Sequence, residues 1–456
     1  MSGLYGSLSV ALSALRASQQ SLETSANNVA NANTPGFTRQ RPVLVPGDPV
    51  VLGRLSFGTG VVVEKLQSLR DPILELRLNQ ESQSQGKLDS VLSALQQIQV
   101  NFSGTDSGIG DAISKFFDSL QQLSTDASNP SLRQGVLTAA GNLASAFNIT
   151  AKNLQNQRSN LDLNVVETVG EINTLTAQIA GVNQQIADLE NVHQDASAFV
   201  DKRTTLIRQL SNLIDVSVIQ TEHGITLTTA SGTPLVAEMR SFPLSTLIGS
   251  GGTHGVFSGT ADISSSIASG KLGGLLAARD QTIPSLQNNL DQLATGLATA
   301  LNTAHRAGFD LNGNPGGDLF VPPPTGGAGA AGALSLAITD PSQVAASSDG
   351  TPGSNGNLAV LSAVHDQTVA GGQTPLDFYS NIVFQVGSDT ANTSADLDAS
   401  DLILQQLEDQ RSSISGVSLD EEAANMVRYQ TAYQAAARVV TTINQMLDDV
   451  VNLGRY

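Results

Sequence analysis

The sequence predicts a mainly α-helical protein with inserted β structure, built as an elongated multidomain chain. Apolar residues recur every seven positions at both ends of the 456-residue chain, which is typical of coiled-coil helices. A third heptad lies at 165–189, and the period changes to two residues at 216–236. We therefore expect the N- and C-terminal helices to pair as a coiled coil. The interior should form a long helical-bundle domain and a small β-rich outer domain.

The first helix is predicted to span residues 7–33. The apolar residues of its seam are Leu8, Leu15, Leu22 and Val29. This helix ends in an asparagine-rich stretch, and Pro and Gly then take the second and third positions of a type II turn. The residues expected to form this interdomain turn are Asn33, Thr34, Pro35, Gly36 and Phe37. The side chain of Phe37 either anchors the turn or belongs to a buried core, and the sequence leaves both open.

The last helix is predicted to begin after Ser418 and to carry a seam over more than four heptads. The seam residues, which we expect to serve assembly and chaperone binding, are Leu419, Met426, Tyr429, Tyr433, Ala436, Val440, Ile443, Leu447 and Val450. Glu422 is the single charged interruption. Ser418 with Glu421 three residues later forms a capping-box pattern. Apolar heptads in a long chain are more often bundle cores, but the extreme ends favour assembly.

Further helices and extended segments are predicted between the two ends. Asp71-Pro72 and Asn129-Pro130 are helix starts, because Asp and Asn cap helices and Pro suits the first helical position. The predicted helices run to about 100, over 111–124, from 130 through the 165–189 heptad, over 198–214 and over 268–308, where Gly308 is a candidate C-cap. Extended structure is expected over 40–66 and a β-hairpin over 216–236. Residues 311–357 are predicted to be a loop or linker, and 358–395 mostly β or irregular.

These elements suggest four regions. Residues 1–36 with 415–456 would form a terminal coiled-coil inner domain. Residues 37–215 with 266–310 and about 396–414 would form a helical rod domain. Residues 216–265 would form an outer domain containing the β-hairpin, and 311–395 a Gly/Pro-rich loop and variable outer insertion.

The charge of the chain limits its partners. Its formal net charge is −18, which argues against nucleic acids and anionic membranes. Residues 1–60 carry four Arg and two acidic residues (4 − 2 = +2), whereas residues 397–456 carry four Arg and nine acidic residues (4 − 9 = −5). Opposite signs favour pairing of the two ends. One helix pair buries too little apolar surface to offset its ordering entropy, so we expect the ends to order mainly when several copies pack together.

Residues that could perform chemistry do not form a pattern typical of an enzyme. The chain has no cysteine, which removes disulfides, thiolate catalysis and cysteine-ligated zinc. Its five histidines are scattered, and Ser84 with Lys87 fits an S-x-x-K motif without companion motifs. Asp310–Asn314 imitates the start of a calcium loop, but Pro315 and Val321 replace the required Gly and Glu, so a structural turn is favoured. The sequence predicts no catalytic, cofactor or metal site.

Both ends resemble a known family. "SANNVANANTPGFTRQ" at 25–40 is similar to the N-terminal signature of flagellar axial proteins, which include rod, hook and hook-associated proteins. Residues 415–453 are similar to their C-terminal helix. "KRTTLIRQLSNLIDVSV" at 202–218 and the block at 269–320 resemble the hook-associated proteins of the hook–filament junction. Residues 321–395 show no resemblance and are expected to vary.

This resemblance implies a structural, non-enzymatic role in the bacterial flagellum. It implies an axial protein that forms a homo-oligomeric ring at the end of the hook, between the hook protein and the second junction protein. It also implies extracellular location after flagellar type III export without a cleaved signal peptide, and a secretion chaperone that holds the C-terminal helix. A hook or rod subunit, and an enzyme on a coiled-coil scaffold, are the alternatives.

Overall fold

A computed structural model describes residues 2–52, 55–102, 108–221, 224–249 and 251–453. The α-helices in these ranges are α1 (Ser2–Ala30), α2 (Pro72–Phe102), α3 (Ile109–Thr125), α4 (Pro130–Asn191), α5 (Ser197–Leu213), α6 (Gly270–Ala277), α7 (Ile283–Arg306), α8 (Ala330–Ala333), α9 (Gly356–Ala363), α10 (Pro375–Ser415) and α11 (Leu419–Leu453). A π-helical segment, Ala278–Thr282, joins α6 to α7. The mainly α prediction is confirmed.

The β structure is confined to small sheets. The strands are β1 (Gln40–Pro46), β2 (Val50–Leu52), β3 (Leu55–Phe57), β4 (Val61–Ser68), β5 (Ser217–Thr221), β6 (Gly224–Thr228), β7 (Pro234–Ala237), β8 (Arg240–Ser241), β9 (Leu244–Ile248), β10 (His254–Ser258) and β11 (Ala261–Asp262). β1 pairs with β4 and β2 with β3, both antiparallel. The orders of the larger sheets are β5-β6-β7-β8 and β11-β10-β9. The predicted hairpin is confirmed as β5–β6, although residues 222–223 lie outside the described ranges.

The chain divides into two compact units, which we name the terminal unit and the interior unit. The terminal unit consists of Met1–Gln83, Glu171–Leu244 and Ser400–Tyr456. The interior unit consists of Ser84–Gly170 and Ser245–Ala399. Helices α2, α4 and α10 contribute residues to both.

Packing in the terminal unit uses the 165–189 heptad and the two chain ends. Ile172, Ile179 and Ile186 are buried on α4, as the seven-residue spacing requires. Helix α1 packs along α11 on one side and against β1 and β4 on another. A small cluster of Leu74, Leu78 and Leu407 joins α2 to α10.

Packing in the interior unit centres on aromatic side chains. Phe116, Phe147 and Phe320 are fully buried, and the rings of Phe116 and Phe320 meet edge to face with centroids 6.3 Å apart. Phe320 belongs to the long irregular stretch after α7. This stretch is therefore part of the core of the interior unit, and not a free linker.

Buried polar side chains hold that irregular stretch in place. The amide of Asn302 bonds the backbone of Leu319 and Phe320, and the guanidinium of Arg133 donates to the Val344 carbonyl at 2.7 Å. The fully buried ring of His305 lies 2.7 Å from the Gly317 carbonyl and accepts from the Ala345 N–H at 3.0 Å. A loop without regular backbone pairing needs such partners when it is buried. The prediction of a loop over 311–357 is confirmed, apart from the short α8 and the start of α9.

The helix starts are confirmed in detail. Oδ1 of Asp71 accepts from the N–H of Ile73 at 2.9 Å, and Oδ1 of Asn129 accepts from the N–H of Ser131 at 2.9 Å. Each satisfies a donor that the first turn of a helix leaves free.

Two predictions were wrong. Residues 358–395 contain the end of α9 and the beginning of α10, where mostly β or irregular structure was expected. Ser, Thr, Asn and Asp, which are mediocre helix formers, fill α10 and hide the three-four spacing of its buried Tyr379, Ile382 and Val386.

The second wrong prediction concerns Gly308. This residue follows α7, but its φ is not positive, as a left-handed C-cap glycine would require. A Cβ there would overlap the Asn357 side chain, so its small size serves close packing.

Candidate assembly surface

The paired terminal helices α1 and α11 run antiparallel. The chain just after α1 reaches the first turn of α11, where Nε of Arg39 donates to Glu422 at 2.7 Å. At the other end, Gly3 and Gly6 of α1 and Val439 of α11 line one groove. The predicted pairing of the two chain ends is confirmed.

The predicted seam of α1 is only partly covered. Leu8, Leu15 and Leu22 are half-buried, and Val29 is exposed. The residues that α1 buries are small or polar; they are Ala11, Ala17, Ser21, Thr24, Ser25 and Asn28. Small side chains let a second element approach a helix closely. One chain therefore leaves the apolar heptad of α1 only partly covered.

The predicted seam of α11 is also incomplete. Ala436 and Ile443 are buried. The half-buried members are Met426, Tyr429, Val440 and Leu447, and the exposed members are Leu419, Tyr433 and Val450. Further exposed apolar residues on the same helix are Val427, Val439, Met446 and Val451. A helix exposing this much apolar surface has faces available for other molecules.

The asparagine-rich end of α1 anchors the following strand. Nδ2 of Asn28 donates to the carbonyl of Gln40 at 2.9 Å, and Oδ1 of Asn28 accepts from the N–H of Gln40 at 3.0 Å. Asn28 is buried, so this two-point contact fixes β1 against α1. An Asn side chain is one of few that can offer a donor and an acceptor together. The asparagine-rich stretch is evident in the sequence, but nothing in its pattern indicates this role of Asn28.

The predicted turn is present. The N–H of Phe37 donates to the carbonyl of Thr34 at 3.1 Å, and Gly36 has φ +83°, as the third position of a type II turn requires. Pro35 fills the second position and Asn33 is exposed just before the turn. Phe37 is half-buried.

Side chains from two other helices, α5 and α10, bond the backbone of this turn and of the residue after it. A carboxylate oxygen of the buried Asp201, on α5, accepts from the N–H of Thr38 at 3.2 Å and another pairs with Arg70. Arg411, on α10, donates to the carbonyl of Gly36 at 3.1 Å and to Glu75 at 2.8 Å. The turn therefore lies at a junction of α1, α2, α5 and α10.

Glu422 shows why a charge interrupts the α11 seam. Its side chain is buried and bonds Nε of Arg39, while Nη1 of Arg39 bonds Glu421 at 2.6 Å. Burial alone lowers the Arg39 pKa, but the hydrogen bonds and charges of Glu421 and Glu422 outweigh it and raise that pKa above its usual value. The Glu421 carboxylate thus belongs to this ion pair. The backbone N–H of Glu421 lies 3.4 Å from the hydroxyl oxygen of Ser418. The single charged residue in the apolar heptad is the sequence signal that could have indicated this ion pair.

The residues that the sequence offered as catalytic or metal-binding candidates take part in local structure. Asp310 accepts from the N–H of Asn312 and of Asn314, both at 2.8 Å, as the predicted structural turn requires. Nδ1 of His254 lies 2.6 Å from Asp162, Ser84 and Lys87 lie within α2, and His223 lies outside the described residues. Within the described ranges, no group of three or more His, Asp or Glu residues could hold a metal ion. None of the helices in those ranges has the length and apolar character that crossing a membrane requires.

Comparisons with family models match most of the chain. Residues 95–320 match the flagellar hook-associated protein FlgK helical domain. Residues 8–38 match the flagella basal body rod protein family, and 408–453 match the flagellar basal body rod FlgEFG protein C-terminal family. The latter two include all of α11 and α1 from residue 8 onward.

Whole-length relatives agree with these matches. The chain is 32% identical to flagellar hook-associated protein 1 of Bacillus subtilis (strain 168), over 99% of each chain. It is 27% identical to the Escherichia coli (strain K12) protein of that name, over 97% of this chain and 98% of the relative. The solved flagellar hook junction protein FlgK from Burkholderia pseudomallei has a similar fold, with a TM-score of 0.66 and 19% identity over 74% of this chain and all of that one.

Proposed function

Because this chain belongs to the flagellar hook-associated protein 1 family, and so is a structural component of the flagellum at the hook–filament junction, we propose that it forms a ring there through its terminal helices. Its partners in this proposal are further copies of itself, the hook protein on one side and the second junction protein on the other.

The incomplete seam of the helix pair is the observation that supports this proposal. One chain buries only Ala436 and Ile443 of the α11 seam and leaves Tyr433 and Val450 exposed. Covering each such side chain contributes about 1.5–3 kcal/mol. Neighbouring subunits would therefore gain stability from the surface that one copy leaves uncovered.

A secretion chaperone and the type III export apparatus are proposed as partners before assembly. Exposed apolar residues on α11 would cause aggregation in the cell if no partner covered them. A chaperone bound to α11 would remove this hazard. A chain without cysteine, with terminal helices that pack only lightly, suits export through a narrow channel without a cleaved signal peptide.

The turn after α1 has a proposed mechanical role. Three side chains on three different helices bond residues 34–39. Asp201 bonds Thr38, Arg411 bonds Gly36, and Glu422 bonds Arg39. A force applied to α1 by a neighbouring subunit would pass to α5 and α10 through these bonds. The turn residues therefore serve to orient the assembly helices.

A deletion strain tests the proposal. Cells lacking this protein should build hooks and release filament subunits into the medium, and the full chain should restore filaments. The chain lacking residues 416–456 should be detected in the cell but should fail to restore filaments. Normal filaments on that truncation would contradict assembly through α11, and loss of hooks in the deletion strain would indicate a different axial role.

A further inference from the structure

An open apolar groove lies beside α1, α11 and the β2–β3 hairpin, all in the terminal unit. Its volume is about 1090 Å³. Its walls are formed by Val10, Val50, Phe57 and Val439, and its floor includes Ala435 and Ala436. None of the residues lining it is charged. We name it the hairpin groove.

The hairpin groove continues a face of α1 that the chain covers elsewhere. Val10 lies on the same helical face as Ala17 and Asn28, which are buried further along α1, where Asn28 bonds β1. Nearer the groove, the hydroxyl of Ser13 accepts from the N–H of Val61 at 3.2 Å, where β4 begins. Beyond that point Val10 is 37% exposed. The groove is thus the uncovered end of a packing face.

We propose that the hairpin groove receives the last turns of α11 from an adjacent copy of this chain, with Met446 and Val450 as the inserted side chains. This inference rests on the proposed ring. Met446 and Val450 are 49% and 41% exposed and lie four residues apart, on one face of α11. An unbranched Met side chain adapts to an irregular apolar groove.

The length of the hairpin groove and the charges around it both fit the last turns of α11. The wall supplied by α1, from Gly3 to Ala14, is about 16 Å long, which equals three helical turns. Residues 440–453 carry Asp448 and Asp449 and no basic residue. Residues 1–22 carry one charged side chain, that of Arg16. The acidic end of α11 therefore meets an uncharged groove beside a positive charge, and no like charges are brought together.

The contact is asymmetric in each subunit, because a copy offers its groove to one neighbour and its α11 end to another. Such heterologous contacts generate rings or helical arrays. A closed pair of copies, each filling the groove of the other, would stop at a dimer. Cross-linking distinguishes these arrangements by the size of the products.

Disulfide cross-linking tests this contact, because the chain has no cysteine of its own and any disulfide must join introduced cysteines. We would introduce Ala435→Cys with Met446→Cys in one chain, oxidise isolated hooks carrying the junction, and separate the products without reductant. The two positions are eleven residues apart on one helix, about 16 Å, too far for a disulfide within a chain. The matched control is Ala435→Cys with Val427→Cys, because Val427 is 63% exposed elsewhere on α11.

We expect a ladder of trimers and larger products from the first pair and none from the control. The second pair, Val10→Cys with Val450→Cys, should give the same ladder if the first pair fails to assemble. Equal ladders in the control, dimers alone, or no product from subunits present on the hooks would overturn the inference and leave the proposed function standing. Absence of the unmodified protein from hooks would instead contradict the proposed function.

Discussion

Nε of Arg39 lies 2.7 Å from a carboxylate oxygen of Glu422, although 383 positions separate the two residues in the chain. The bond joins the residue just after the turn that follows α1 to the first turn of α11. It also accounts for a charged residue in an otherwise apolar heptad. Burying Glu422 is tolerable only because a cation meets it there.

Breaking this ion pair should loosen the start of α11. Arg39→Gln leaves the buried Glu422 carboxylate without a cation, which costs on the order of 3 kcal/mol. Hydrogen exchange of the amides in Leu419–Tyr429 should then become faster by about two powers of ten. The apolar double variant Arg39→Met with Glu422→Met should restore most of the protection.

Lys115→Gln is the control for that experiment, because Lys115 pairs with Asp111 on an exposed helix surface. Such pairs contribute about 0–1 kcal/mol, so exchange in α11 should not change. Unchanged exchange in Arg39→Gln would show that the ion pair does not hold α11.

Gly36 should be sensitive to any side chain. Its φ of +83° is strained for other residues, and a Cβ would lie 2.5 Å from Oγ1 of Thr205. Gly36→Ala should lower the free energy of unfolding of the terminal unit by roughly 1–3 kcal/mol, measured by urea denaturation. Adding Thr205→Ala should relieve the overlap and recover part of that loss.

Gly181→Ala is the matched control, because Gly181 lies in α4 with nothing within 4 Å of its added Cβ. A better helix former there should raise stability by up to about 1 kcal/mol. Equal losses in the Gly36 and Gly181 variants would contradict a special role for the turn.

Acid should weaken the interior unit through His305. Burial lowers the His305 pKa, and its Nε2 can accept from the Ala345 N–H only while unprotonated. The unfolded chain binds a proton near pH 6.5 that the folded chain rejects, so stability falls as pH decreases from about 6.5 towards the lowered folded pKa. The slope attributable to His305 is at most about 1.4 kcal/mol per pH unit.

Urea denaturation between pH 7.5 and 5 measures this slope. His305→Gln should be less stable at pH 7.5, and its stability should vary less with pH than that of the unmodified protein. His365→Gln, which changes a half-buried histidine beside Asp366, is the control for the loss of a histidine. An unchanged slope in His305→Gln would show that another group controls acid unfolding.

The sequence predicted most elements because local rules determine them. Asp71 and Asn129 start helices, and the α4 heptad becomes a buried seam, as spacing alone implies. The first half of α10, residues 375–395, escaped prediction because its buried residues form one narrow strip among poor helix formers, and packing overrides that weak propensity.

The candidate site was predictable only in part. The heptads indicated which helices pair, but not that α1 would bury small residues such as Ala17 and Ser21 in place of its predicted seam. Glu422 lies 383 positions from Arg39, and Thr38 lies 163 positions from Asp201. No periodic pattern in the sequence connects residues so far apart. Long-range ion pairs depend on the tertiary fold, which heptad spacing does not specify.

Chaperone binding should depend on the α11 seam. Tyr433 is 37% exposed and Val440 is half-buried, on the face that carries Ala436. Tyr433→Asp with Val440→Asp places two charges where apolar contacts are expected, each worth about 1.5–3 kcal/mol. Binding to the purified secretion chaperone should weaken at least tenfold, measured by calorimetry.

Val427→Asp supplies the control for chaperone binding. Val427 is more exposed than Tyr433 but lies on the opposite face of α11, nine residues and two and a half turns before Ala436. Its replacement adds a charge to the same helix without touching the seam, so affinity should change less than twofold. Equal weakening in both variants would mean that the chaperone surrounds α11, and full affinity in the seam variant would place the chaperone site outside the seam.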